Sequence, residues 1–179
     1  MQSSQTRISF IRALAGWDHD LRHKMADFFL AEGRLRPADA AAALIVVESD
    51  GRYLMQLRDQ KPGIFYPGHW GLFGGAIDPG ESPEVSLRRE LEEELQLRVS
   101  GLRYFTEFAF DFAFCGRGRF IRRFYEVQVA ESSLQGLVLG EGAEMRAFAA
   151  HDLLNMTRIV PFDAFAIWLH AARERALKA

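Results

Sequence analysis

The chain has a single cysteine among its 179 residues, Cys115, which excludes an intramolecular disulfide framework and any multi-cysteine zinc site. Beside Gly116, that thiol reads as incidental, and a reducing compartment is the expected setting. Long apolar runs are missing too. Ala40 to Val47 is uninterrupted, but it falls far short of the roughly 20 residues that span a bilayer. Neither sign of charge dominates: 22 Lys and Arg face 24 Asp and Glu, for a net charge of −2. No global field is available to hold a polyanion, so stable nucleic-acid binding is not expected. Ile8 to Ala15 is mildly apolar and ends in Ala13-Leu14-Ala15, but Arg12 interrupts it and it is short for a secretory signal. The cytoplasm is the expected location.

What is present is ordinary for a soluble domain, with 49% hydrophobic and 26% charged residues. The length fits one domain with a short extension. Leu21 to Ala31 is predicted helical, capped by Asp20, striped by Leu21, Met25, Phe28 and Phe29, and ended by Gly33. Residues 1–37 are therefore read as an N-terminal helical extension and residues 38–179 as the main domain. His19 and His23 have the i, i+4 spacing of a zinc pair, but no third ligand is evident and they read as a solvated helix start.

Ala41 to Val47 and Tyr53 to Arg58 are predicted strands joined by the turn residues Ser49-Asp50-Gly51. The two Pro-Gly steps of KPGIFYPGH, residues 61–69, mark a loop with fixed bends. Tyr104 to Phe114 places Phe108, Phe110, Phe112 and Phe114 on one face; Gly116-Arg117-Gly118 turns the chain and Phe120 to Val129 returns. That density of phenylalanine reads as packing on a covered sheet. From Phe162, the residues Phe165, Trp168, Leu169 and Ala172 outline a terminal amphipathic helix. Strands and helices in this order imply an α/β sandwich around a mixed sheet.

The specific stretch is GGAIDPGESPEVSLRRELEEELQL, residues 74–97. Ser82 suits an N-cap and Pro83 the first helical position. At about 100° per residue, Glu90, Glu93 and Glu94 share an arc beside the apolar stripe of Leu87, Leu91 and Leu95. Three carboxylates so close repel unless a cation bridges them or one takes a proton. Oxygen-only donors favour hard ions such as Mg²⁺ or Mn²⁺. Gly74 and Gly75 allow close backbone approach to metal or phosphate, and Arg89 is placed to pair with Glu81.

The whole string resembles the Nudix box, Gly-x5-Glu-x7-Arg-Glu-U-x-Glu-Glu-x-Gly-U with U aliphatic. Gly75, Glu81, Arg89, Glu90, Leu91, Glu93, Glu94 and Leu97 match it. Its six fixed identities would recur by chance in about one chain per 10⁵. Gln96 stands where the pattern has glycine; it either lengthens the helix or forces a strained turn, and it removes no carboxylate.

The resemblance implies a Nudix-like α/β/α sandwich and a metal-dependent hydrolase that cleaves the diphosphate linkage of a nucleoside diphosphate derivative, a nucleoside triphosphate or a nucleotide sugar. It implies Glu93 and Glu94 as metal ligands, Glu90 as ligand or general base, and the Gly74 carbonyl as a further ligand to Mg²⁺ or Mn²⁺. In some relatives the base comes from a later loop, which makes Glu141 and Glu144 candidates; Glu144 is carried with the box glutamates as catalytic. Arg58, Gly75 and Tyr66 are the expected substrate contacts, with Phe65 and Trp70 nearby. A homodimer is compatible with the family. Two alternatives stay on the same scaffold. A non-catalytic nucleotide-binding regulator would usually have lost box glutamates, and an isomerase of the isopentenyl diphosphate type would need a cysteine upstream of the box, where none occurs.

Overall fold

The computed structural model describes residues 39–111 and 119–178. The expected helix at 21–31, the turn at 116–118 and Cys115 lie outside the described residues. Six strands are present among the described residues: β1 (Ala40–Val47), β2 (Tyr53–Leu57), β3 (Trp70–Gly71), β4 (Arg103–Asp111), β5 (Arg119–Val129) and β6 (Glu144–Phe148). The described helices are α1 (Pro83–Leu95), α2 (Ala150–Leu154) and α3 (Pro161–Leu177), and a short 3₁₀ turn covers Glu131–Gly136.

The sheet order is β3-β2-β1-β5-β4, with β6 added to β2. β1 runs parallel to β5, from Ala40 opposite Arg122 to Val47 opposite Val129, and the other pairings are antiparallel. A strand covered on both faces reads as a continuous apolar run, which is why β1 is AAAALIVV. Its alternate residues divide between two cores. Ala41, Ala43, Ile45 and Val47 meet Leu87, Leu91 and Leu95 of α1. Ala42 and Leu44, with Met55 and Phe124, meet Leu153, Ala166 and Ile167 from α2 and α3. Each fully buried leucine of α1 contributes about 1.5–3 kcal/mol. The result is the expected α/β/α sandwich. Phe108 packs on Phe124 and Phe165, and Phe110 on Phe120 and Phe162, so these rings do pack on the covered sheet.

β6 was not legible: EMRAF reads as loop, yet it pairs along β2 from Tyr53 opposite Phe148 to Leu57 opposite Glu144. Nearly all its residues are half-buried, so no sharp alternation marks it. No helix among the described residues is long and apolar enough to cross a membrane.

α1 begins as expected, with Ser82 Oγ accepting a hydrogen bond from Val85 N at 3.3 Å and Pro83 in the first turn. It ends sharply at Leu95. Gln96 takes the left-handed conformation, φ 53 and ψ 28, and Leu97 N folds back to Leu91 O at 3.1 Å. Of the two outcomes for a glutamine at the glycine position, the strained turn is the one found.

Candidate active site

The site is built on the backbone strip from Phe73 to Ala76, which lies along β1. Ala43 N donates to Phe73 O and Ala41 N to Gly75 O, both at 3.0 Å. The alanines of β1 keep this approach open. Gly74 has φ +119, and a Cβ there would fall 2.4 Å from Ala41 O, so only glycine fits.

Two carboxylates of α1 lie against this strip. A Cβ on Gly75 would stand 2.6 Å from Glu90 Cδ and 2.7 Å from each carboxylate oxygen. Glu94 is 6% exposed, and its Oε2 accepts from Gly74 N at 2.8 Å while Oε1 accepts from Gln56 Nε2 at 3.1 Å. Burial raises Glu90, opposed by the Arg89 hydrogen bond. Burial also pushes Glu94 up to about 7, against the Gly74 and Gln56 hydrogen bonds and with help from the charges of Glu90 and Glu141. Glu93 is more exposed and lies 3.2 Å from Arg89. Arg89 also pairs with Glu81 at 3.1 Å and Glu90 at 2.9 Å, which pins the preceding loop to the helix.

The loop before β6 closes the site from the other end. Gly140 N donates to Glu94 O at 2.7 Å, Val138 N to Leu95 O at 3.2 Å and Ala143 N to Leu57 O at 2.8 Å. A Cβ on Gly140 would fall 2.5 Å from Glu93 O. Between these anchors stands Glu141, whose charge acts on Glu90, Glu94 and Arg58. Glu144 is set apart, on β6, where it pairs with Arg146. The structure therefore brings Glu141 to the box carboxylates and leaves Glu144 outside them.

On the other side of the same glycines is a cavity of about 170 Å³ lined by Gly74 and Gly75 together with Arg58, Arg122, Asp163 and the rings of Phe65, Phe120 and Phe162. Arg58 is half-buried, and its Nε donates to Phe65 O at 2.8 Å. Burial lowers its pKa, as does Arg122, while Asp163, Glu94 and Glu141 oppose the shift. Asp163 is 1% exposed, accepting from Leu72 N at 2.9 Å and from Arg122 Nε at 3.1 Å. Arg122 lies over the Phe162 ring, 5.0 Å from its centroid.

Of the expected substrate contacts, Arg58 and Gly75 line this cavity. Tyr66 is 1% exposed and lies behind it, edge-on to Phe65 and Phe162. Trp70 packs on Phe148 beneath Arg146, away from the cavity. Arg122, Phe162 and Asp163 were not singled out from the sequence. The available signal was a buried acid on the apolar face of the terminal helix, and an arginine on the phenylalanine face of β5.

The donor set fits a hard cation. Glu90, Glu93, Glu94 and Glu141 offer only oxygen; Arg89 bridges Glu90 and Glu93 to Glu81 at the edge of the set, while Glu94 has no ion pair with it. A second cluster does not fit one. Glu126, His170 and Glu174 place ligand atoms within 4.8 Å of one another on the α3 side of the sheet. Arg173 Nη2 stands among them, 2.6 Å from Glu126 Oε2, 2.7 Å from Glu174 Oε1 and 3.1 Å from His170 Nε2. The chain supplies its own cation there. His170 Nε2 lies 3.1 Å from Glu126 Oε2 and its Nδ1 2.8 Å from Tyr53 Oη.

The NUDIX domain model matches residues 36–167. The chain belongs to the NUDIX family. Among curated NUDIX relatives, the nucleoside triphosphatase NudI of Escherichia coli O1:K1 / APEC is 46% identical over 50 residues, which are 28% of this chain and 35% of that protein. The match to NudI of Salmonella arizonae is 43% identical over 63 residues, 34% of this chain and 44% of that protein. The match thus spans 35–44% of the length of these relatives. In fold, it is similar to the MutT protein from Methanosarcina mazei Go1, with a TM-score of 0.63 at 21% identity, covering 79% of this chain and 99% of that one.

Proposed function

We propose that this NUDIX chain is a divalent-metal-dependent pyrophosphohydrolase acting on a nucleoside triphosphate. The observation that carries the reading is the shared Gly74–Gly75 floor, with the carboxylates of Glu90 and Glu94 on one side and a cavity of aromatic rings and guanidinium groups on the other. That arrangement suits a substrate whose polyphosphate crosses the glycines and whose base lies among Phe65, Phe120 and Phe162. The nucleoside triphosphatase relatives favour a triphosphate over a nucleotide sugar.

Glu90, Glu93 and Glu94, with the Gly74 carbonyl, would hold Mg²⁺ or Mn²⁺. When bound, the cation supplies positive charge that stabilises the charge building on the phosphate oxygens. Arg58, between the cavity and Glu94, binds the polyphosphate and offsets the carboxylates. Arg122, held by Asp163 and Phe162, presents N–H donors to the base edge. Glu141, on its anchored loop, takes the proton of the attacking water. The water oxygen forms a bond to one phosphorus, the bridging P–O bond breaks, and the leaving phosphate carries away the electron pair. In this reading residues 1–37 are an extension to the domain, and the cytoplasm is its compartment. Intact Glu90, Glu93 and Glu94 favour turnover over the regulatory-module alternative.

The test is a panel of nucleoside triphosphates, nucleotide sugars and dinucleotides with Mg²⁺, following released pyrophosphate or phosphate, with Glu93→Gln alongside. Selective triphosphate turnover that the variant loses is the expected result. A folded protein that turns over none of the triphosphates overturns the reading.

A further inference from the structure

Gln56 is a fully buried amide on β2, 4% exposed, on the α1-facing side of the sheet where its neighbour Leu54 joins the apolar core. A buried amide is costly unless its donors and acceptor are satisfied. Its Nε2 lies 3.1 Å from Glu94 Oε1 and 3.4 Å from Leu72 O. Both partners are acceptors, so the amide nitrogen must face them, which fixes the orientation of the group. Its Oε1 then faces the Glu141 loop, where a Cβ on Gly142 would fall 3.1 Å from that oxygen. Gly142 has φ +90, so the loop passes Gln56 in a conformation suited to glycine.

Glu94 is thereby held at both oxygens by donors from separate elements, Gln56 of β2 at Oε1 and Gly74 N at Oε2. A carboxylate has about four lone-pair sites. Two are taken by the chain, which stops rotation of the group and leaves two in a fixed orientation.

We infer that Gln56 is a positioning residue for the carboxylate site, orienting Glu94 through its amide nitrogen. The inference rests on the reading of Glu94 as a cation-holding carboxylate. Groups that orient a metal ligand from behind typically change metal affinity 10- to 100-fold when removed.

The test is Mn²⁺ affinity of the full chain, read from the paramagnetic resonance signal of the free ion, with thermal unfolding measured on the same samples. Gln56→Met keeps length and fills the space without a donor; it is expected to weaken Mn²⁺ binding about 10- to 100-fold while folding normally. Gln56→Asn keeps an amide too short to reach Glu94 and, should the methionine variant not fold, is expected to show the same loss. In a Glu94→Gln background, Gln56→Met is expected to cause no further loss, because its effect passes through Glu94. Affinity within twofold of wild type in a folded Gln56 variant, or an equal loss without Glu94, overturns the inference alone. A wild-type chain that binds no Mn²⁺ overturns the reading of Glu94 and this inference with it.

Discussion

Gly75→Ala separates the chemistry of this site from its stability. The φ of Gly75 is not in the left-handed region, so alanine meets no backbone obstacle, but its Cβ would lie 2.6 Å from Glu90 Cδ. Ordinary contact begins near 3.4 Å, so the carboxylate must retreat by about 0.8 Å. The carboxylate is the far end of a flexible side chain, paired with the equally flexible Arg89, and can move at a cost of about 1 kcal/mol. A misplacement of that size at a reacting centre costs about 10²-fold in rate. Gly74→Ala is the contrast, because its Cβ meets backbone, Ala41 O at 2.4 Å, at φ +119. It is expected to destabilise by about 3 kcal/mol or more. Steady-state kinetics beside thermal unfolding reads both variants. Gly75→Ala with activity within threefold of wild type, or with a loss that tracks a fall in Tm, refutes the placement of Glu90 as a working carboxylate.

Three further outcomes follow from other parts of the molecule. Gln96→Gly relieves a left-handed glutamine and is expected to stabilise by about 0.5–1 kcal/mol, raising Tm by roughly 1–4 °C without changing kinetics; a lower Tm contradicts the strain assigned there. Burial pushes Glu126 up, but hydrogen bonds from Arg173, His170 and Arg103 outweigh it and hold the carboxyl at about 2, below its ordinary 4.5. Its stabilising contribution is therefore complete above pH 4.5 and is lost as pH falls toward 2, so Glu126→Gln should flatten the acid limb of a stability–pH profile. Burial lowers the pKa of His170 below 6.5, which adds loss in the same direction as pH falls. Arg58→Met is expected to cost about 1.5–3 kcal/mol of transition-state binding, a 10- to 100-fold drop in kcat/KM for a triphosphate; unchanged kinetics would remove Arg58 from the substrate site.

The parts of this fold legible in the sequence are those with one sharp period or one steric requirement. The leucines at 87, 91 and 95 locate the buried face of α1, and Ser82-Pro83 locates its start. β6 escapes because its residues are mostly half-buried and no alternation separates its faces. The same logic divides the site. Glu90, Glu93, Glu94 and Gly75 lie within one short string whose spacing carries their geometry. Gln56, Arg122, Glu141 and Asp163 are scattered over β2, β5, a loop and α3, and only the sheet order brings them to the same glycines. Nothing local to GEGAE distinguishes Glu141 from Glu144. What separates them is the backbone anchoring of Gly140 and Ala143, which leaves one where its charge acts on Glu90 and Glu94 and carries the other onto β6 with Arg146.

The most direct test of the carboxylate site is the initial rate of triphosphate hydrolysis against free Mg²⁺ for wild type and Glu94→Gln. The account predicts no turnover in chelator, saturable recovery with Mg²⁺, and a loss of about 10²-fold or more in the variant at any Mg²⁺ concentration. Turnover that persists in chelator, or a Glu94→Gln enzyme running at the wild-type rate, would contradict it.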